Sequence, residues 1–228
     1  KTAEGNLMVT AKHGCSGVRT EYDDRGYIVE QRYLGIDGNV AMSLLNGYAI
    51  ITTEVDEYGF FNCIRYFDAD RNPCLTEQGY SKSVKVNDSR GNELEEWNYG
   101  LDGELVHCKD GYAGLTAEYD SLGHCSRITF FDKDREPVLL STGVAAFTRE
   151  YNSMGDMIKE SYLDTEGKPV KNNNNIATVV YERDIRGNIT KLLYYDESGE
   201  PILSDEGIAG ADFVYDDNGN EIRRSFFN

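Results

Sequence analysis

The sequence predicts an all-β protein of tandem β-hairpin repeats, about 32 residues each, stacked into an elongated solenoid-like or curled sheet. Three observations carry that expectation. Glycine recurs at Gly26, Gly59, Gly91, Gly123, Gly155, Gly187 and Gly219, with one spacing of 33 residues and then five of 32. A second column, Gly14, Gly47, Gly79, Gly111, Gly143, Asn175 and Gly207, keeps the same spacings, and two columns that agree in period mark a repeat architecture. Between the punctuation points lie runs of about six residues rich in Tyr, Phe, Val, Ile and Thr, the composition of strands, and no stretch shows a helical period capped at both ends.

Each copy carries two turn signals. The first is Asp-x-x-Gly, from Asp23–Gly26 through Asp216–Gly219, with Asn152–Gly155 as the variant. Asp and Asn bond their own backbone two residues on, and Gly accepts positive φ, so this is the chemistry of a tight hairpin connection. The strands it joins are exemplified by Leu115–Tyr119 and Ser126–Phe131, and later by Lys191–Tyr195 and Asp212–Tyr215. The second turn reads Asp68 to Pro73, Asp132 to Pro137, Asp164 to Pro169 and Asp196 to Pro201, and holds all four prolines at one phase. That phase belongs to a strand start or edge, where a missing amide donor is tolerated. The run Asn172–Asn175 falls between the second turn and the next Gly and reads as a tolerant surface loop.

Residues 1–228 are expected to form a single repeat domain of about seven copies, because stacked repeats share one continuous core. Gly5-Asn6-Leu7-Met8 matches Gly38-Asn39-Val40-Ala41 in phase, and Asn228 stands in the column of Asp164 and Asp196. The chain therefore reads as a fragment of a longer array, or as a ring in which first and last strands pair. A 32-residue unit is short for a propeller blade of ~40–50 residues, which disfavours the ring.

Forty acidic against 23 basic residues give a net charge of −17, which disfavours nucleic acid and anionic membranes as partners. No apolar run approaches the roughly 20 residues of a membrane span. Proteins, glycans and cations remain. The five cysteines, Cys15, Cys63, Cys74, Cys108 and Cys125, fall at different phases, so they read as small buried thiols rather than a repeated disulfide framework. Asp68-x-Asp70 and Asp132-x-Asp134 alternate oxygen ligands as calcium sites do, but none continues to the glutamate of an EF-hand loop. His13, His107 and His124 stand at unrelated phases and assemble neither a zinc site nor a triad. No cofactor, metal or catalytic activity is expected.

The recurring aromatics carry the functional reading. Tyr66 and Phe67, Phe130 and Phe131, and Tyr194 and Tyr195 stand as adjacent pairs at the end of the second strand, with Tyr162 filling one place. Adjacent strand residues face opposite ways, so one column is available for stacking in a core and the other for solvent or a partner. Tyr22-Asp23-Asp24-Arg25-Gly26, Tyr119-Asp120-Ser121-Leu122-Gly123 and Tyr215-Asp216-Asp217-Asn218-Gly219-Asn220 resemble the tyrosine-aspartate repeats of bacterial Rhs-type surface proteins and toxins. Tyr66-Phe67-Asp68 and Tyr194-Tyr195-Asp196 are more loosely similar to the aromatic hairpin repeats of clostridial toxins and choline-binding modules. The period here is longer than the roughly 20 residues usual in those families, and the Trp that choline sites use is missing. The resemblance covers nearly all the chain and transfers no functional residue. It implies a secreted or cell-surface bacterial protein, in which the chain is a non-catalytic scaffold and protein-interaction module; the alternative is a carbohydrate- or cell-wall-binding module using the Tyr and Phe columns.

Overall fold

The computed structural model describes residues 14–228, so the expectations for Gly5–Met8 and His13 lie outside the described residues. Among the described residues fourteen strands pair antiparallel in chain order. They are β1 (Gly17–Tyr22), β2 (Ile28–Leu34), β3 (Ile50–Val55), β4 (Phe61–Phe67), β5 (Lys82–Asn87), β6 (Glu93–Tyr99) and β7 (Gly114–Tyr119), then β8 (Cys125–Phe131), β9 (Ala146–Tyr151), β10 (Met157–Leu163), β11 (Thr178–Arg183), β12 (Ile189–Tyr195), β13 (Gly210–Tyr215) and β14 (Glu221–Phe227). The described residues are thus all-β, seven hairpins at the predicted period. Two compact units divide it: one takes in the residues up to Leu115 with the Asp132–Arg135 turn, the other Thr116–Phe131 with Glu136–Asn228.

Each hairpin closes on the predicted Asp-x-x-Gly turn. All seven glycines have φ between +84° and +93°, a region closed to most side chains. The preceding Asp side chain completes the turn. Oδ1 of Asp23 accepts the amides of Arg25 and Tyr27, Oδ1 of Asp216 accepts those of Asn218 and Asn220, and neutral Asn152 does the same for Met154 and Asp156. The second turn repeats the motif: Oδ1 of Asp68 accepts from Asp70 and Asn72, and Oδ1 of Asp196 from Ser198 and Glu200. The prolines then make single bridges back to the strand end, Phe67 to Pro73 and Tyr195 to Pro201 among them.

A third turn of the same kind follows, which the sequence announced only as the second Gly column. Residues Gly14, Gly47, Gly79, Gly111, Gly143, Asn175 and Gly207 all have positive φ there. The Asn172–Asn175 run lies at the surface, as expected, and forms an ordered turn. Oδ1 of Asn172 takes the amides of Asn174 and Ile176, and Asn175 Nδ2 reaches the carbonyl of Leu203. Third turns bond to their neighbours through the backbone, Glu77 N–H to Asn46 O at 3.0 Å, Lys109 to Gln78 at 2.9 Å, Asn173 to Thr142 at 3.0 Å and Asp205 to Asn174 at 3.1 Å. The one 33-residue spacing also finds its place: Gly47 bonds back to Ser43, whereas Gly79 bonds back to Thr76, so the Gly47 turn is a residue longer.

Successive hairpins are joined by a small residue just before each hairpin's first strand. The carbonyls of Ala49, Ser81, Ala145 and Ala177 accept from Tyr33, Tyr66, Phe130 and Tyr162 of the preceding hairpin, while their amides donate to Phe67, Tyr99, Leu163 and Tyr195 of their own. Ala49, Ala113, Ala145 and Ala177 are wholly buried. A larger side chain there has no space to enter. Ala145→Leu is expected to destabilise the protein by about 1–3 kcal/mol through overpacking, read as a lowered midpoint in urea unfolding; an unchanged midpoint would show that this column is not close-packed.

Candidate functional site

The aromatic residues singled out by sequence lie on both faces of the sheet. Register places Tyr66 opposite Ile51, Tyr162 opposite Phe147 and Tyr194 opposite Val179 on one face, and Phe67 opposite Ile50 and Tyr195 opposite Thr178 on the other. Phe130 follows the first group by period and Phe131 the second. All seven are half-buried. The first face is a ladder. Tyr33, Tyr48, Tyr66 and Tyr80 follow one another with ring centroids 5.8, 4.8 and 5.8 Å apart, tilted or edge-on, the spacing of favourable aromatic pairs. Later the intervening places pass to Val144 and Ile176, both buried, between Phe130, Tyr162 and Tyr194. Burial pushes the hydroxyls of Tyr48 and Tyr66 far above the ordinary tyrosine range, with their tyrosine neighbours adding to the shift. These half-buried rings pack against one another along the face. A cleft of about 330 Å³ runs beside them, lined by Tyr48, Tyr66, Tyr80, Asn46, Thr76 and Glu77.

Ionisable groups on this face are paired across strands. Arg149 Nε lies 2.9 Å from Glu160 Oε1, and Tyr162 OH donates to Glu160 Oε2 at 3.0 Å. Lys85 is held between Glu93 and Glu96, and Ser83 Oγ donates to Glu96 at 2.9 Å. One break interrupts the ladder: Asn98, in the aromatic phase, is fully buried and its Oδ1 has no partner.

Toward the Asp-x-x-Gly turns the hairpins part, and a second set of side chains closes the gap. Within a hairpin six residue pairs face one another, but between hairpins only three do, as in Cys63 with Val84, Ile64 with Ser83 and Arg65 with Lys82. The strand carbonyls beyond that short ladder are met by side chains. Asn87 Nδ2 donates to Phe61 O (3.0 Å), Tyr151 OH to Cys125 O (2.8 Å), Arg183 Nε to Met157 O (2.9 Å) and Tyr215 OH to Ile189 O (2.9 Å), each reaching back 26 residues. Where this column holds Val55, which cannot donate, Thr53 Oγ1 bonds the equivalent carbonyl of Ile28. The tyrosine of the Tyr-Asp pair is thus a fastener. Sequence reading located the column through its turn but had no signal for its role, since Asn, Tyr, Arg and Thr share only a donor. Tyr151→Phe and Tyr215→Phe should each cost about 1 kcal/mol, the net worth of such a bond, measured as loss of unfolding free energy; no loss in either variant would remove the role.

Several turn aspartates have their carboxylates held low. The backbone amides of Tyr27, Asn72 and Glu200 depress Asp23, Asp68 and Asp196 below the ordinary Asp value, and the side-chain amides of Asn39, Asn188 and Asn220 depress Asp37, Asp184 and Asp216. Among the described residues no three His, Cys, Asp or Glu side chains converge as metal ligands do, and Cys15, Cys63, Cys74, Cys108 and Cys125 are free thiols. A depressed folded-state pKa stabilises the fold above the unfolded pKa of 3.8 and is lost as pH falls through the lower folded value. The melting temperature is expected to drop as pH is lowered past 3.8, and to drop less in a triple Asp23→Asn, Asp68→Asn, Asp196→Asn variant, whose amide oxygens keep the turn bonds as Asn152 does. Equal drops would place the acid sensitivity elsewhere.

No family model matches the chain, and no curated protein does. Among solved structures it is similar to the crystal structure of TcdB2-TccC3, at 17% identity over 92% of this chain and 10% of that one, with a TM-score of 0.38. It is similar also to the Photorhabdus luminescens Tc holotoxin pore carrying a mutated TccC3, at 14% identity over 92% of this chain and 10% of that one, with a TM-score of 0.41. This chain spans about a tenth of the length of either.

Proposed function

We propose that this chain is a non-catalytic scaffold module of a secreted or cell-surface bacterial protein, whose sheet presents protein-interaction surfaces. The observation that carries this reading is the use of side chains. Groups capable of chemistry are committed, copy after copy, to structure: donors to the carbonyl 26 residues back join one hairpin to the next, while Asp and Asn hold turn amides and Glu160 holds Arg149 and Tyr162 within a hairpin. A solenoid whose copies contact only their neighbours persists as a framework while leaving its faces open to partners. The tyrosine ladder supports the same reading over carbohydrate binding, because half-buried rings packed tilted or edge-on against each other have less open face for sugars.

A thermal melt of the protein against peptidoglycan fragments, a glycan panel and calcium with a chelator control tests this reading. The scaffold reading expects an unchanged melting temperature in every arm. Occupying a site at 100 times its Kd would stabilise by about 2.7 kcal/mol, several degrees for a chain of this size. Such a shift with one glycan class would replace the scaffold reading with carbohydrate binding.

A further inference from the structure

From Arg71 onward the second turn of a copy leans over the hairpin before it, and the residue at its positive-φ position decides whether the space between them is filled. That position is Arg71 in one copy and Arg135 in another, with φ of +67° and +65°, and glycine at Gly103, Gly167 and Gly199. Arg71 reaches back 41 residues to the buried Glu30, at 2.6 Å, where Arg32 also bonds. Arg135 lies 3.9 Å from the ring centroid of Trp97, whose Nε1 donates to Glu95. Glu30 and Glu95 occupy the same place in their repeats. Where the turn residue is glycine, that place holds Cys63, Arg127 or Lys159 instead. Arginine above goes with glutamate below, and glycine above goes without an acid. The glycine turns leave clefts at equivalent places, of about 170 Å³ beside Gly103 and about 400 Å³ beside Gly199.

The Gly103 cleft has an unmet charge. Its floor sets Arg65 directly opposite Lys82 across the strands; elsewhere the same pair is Arg32 with Ile50, Thr129 with Ala146, Ser161 with Thr178 and Leu193 with Gly210. Like charges directly opposed on a sheet are destabilising. Glu54 takes one bond from Arg65, at 2.6 Å between exposed side chains. Lys82 has no carboxylate partner among the described residues, and its ammonium sits 4.1 Å from the Tyr99 ring centroid. No carboxylate lines the cleft, while Phe67, Pro73 and Leu101 supply an apolar wall.

We propose that this cleft is a docking slot for an acidic side chain, carried beside an apolar residue on an extended segment of a partner protein. The carboxylate bridges Arg65 and Lys82, and the apolar neighbour lies on Phe67, Pro73 and Leu101. This rests on the interaction-surface reading above and gives it a partner class. Arg71 on Glu30 is the same slot satisfied from within, with the signs exchanged.

The test is an amide-resolved NMR titration of the protein with the blocked tetrapeptide acetyl-Gly-Glu-Leu-Gly-amide and its Gln counterpart. Saturable shifts confined to Lys82, Leu101, Gly103 and their neighbours are expected with the Glu peptide, in the millimolar range of a single charged contact. The Gln peptide and the Lys82→Thr variant, which installs the residue found at position 178, should each bind roughly tenfold more weakly. A second variant, Gly103→Arg with Cys63→Glu, copies the Arg71 and Glu30 pair and should abolish the shifts in a protein that remains folded by circular dichroism. Equal shifts with Glu and Gln, unchanged binding in Lys82→Thr, persistent binding in the double variant, or no localised shift would each overturn the proposal. None of those results moves the ligand melts, so the scaffold reading stands or falls separately.

Discussion

Everything in this fold depends on the backbone bonds of one small residue per repeat. Ala49, Ser81, Ala145 and Ala177 give their amides to one hairpin and their carbonyls to the one before, at the level where the chain enters a strand. A buried backbone group without a partner is costly, so both bonds must form together. They fix the distance between hairpins, and that distance leaves space for a methyl group. Where serine stands in the column, its hydroxyl finds further carbonyls, those of Tyr99 and Gly100 for Ser81. The tyrosine ladder follows from this constraint. Once the small residue sets the spacing, Tyr48 necessarily falls between Tyr33 and Tyr66.

The repeat conserves bonds rather than residues. At the turn, Asp88 pairs with Asn92 and Asp184 with Asn188, whereas Asn152 pairs with Asp156: donor and acceptor have changed places and the contact survives. At Asp120 the partner is His124, its ring nitrogen 2.8 Å from the carboxylate, and the ring stacks on Tyr151. At the fastener position Asn, Tyr and Arg serve one carbonyl each, and Thr53 serves from a neighbouring place when Val55 cannot. Residue identity drifts because a hydrogen bond asks only for a donor at the right distance.

This explains how much of the structure was legible in the sequence. The period, the hairpins and the positive-φ glycines could be read because no other residue adopts that backbone at so little cost, and the prolines because a missing amide confines them to one phase. The third turn was visible only as the second Gly column, since its leading residue is Ser, Thr, Cys, Leu or Asn by turns and carries no common signal. The fasteners were hidden for the reason just given. Of the candidate site, sequence supplied the two aromatic columns but not their partners, because Tyr48 and Tyr80 come from a different part of the repeat and reach Tyr66 only after the chain has folded back. The clefts were less legible still. Arg71 and Glu30 are 41 residues apart, more than one period, so their matching is invisible until the copies are stacked.

Pairing within and between hairpins differs, and the difference sets where such an array yields. Six facing pairs hold β3 to β4 while three hold β4 to β5, so the seams between copies are intrinsically weaker than the copies themselves. In a linear array, stability is a sum of unit terms and neighbour terms, and a weak neighbour term would let single hairpins peel away. Within each unit the deficit is made up at both ends of a seam: side-chain fasteners near the Asp-x-x-Gly turns, and backbone bonds between consecutive third turns at the other end. The arginine that leans back from a second turn strengthens the seam in the middle, as Arg71 does on Glu30. Copies with glycine at that position forgo this brace. Their seams remain held at the two ends, and the cleft between is left for something else to occupy.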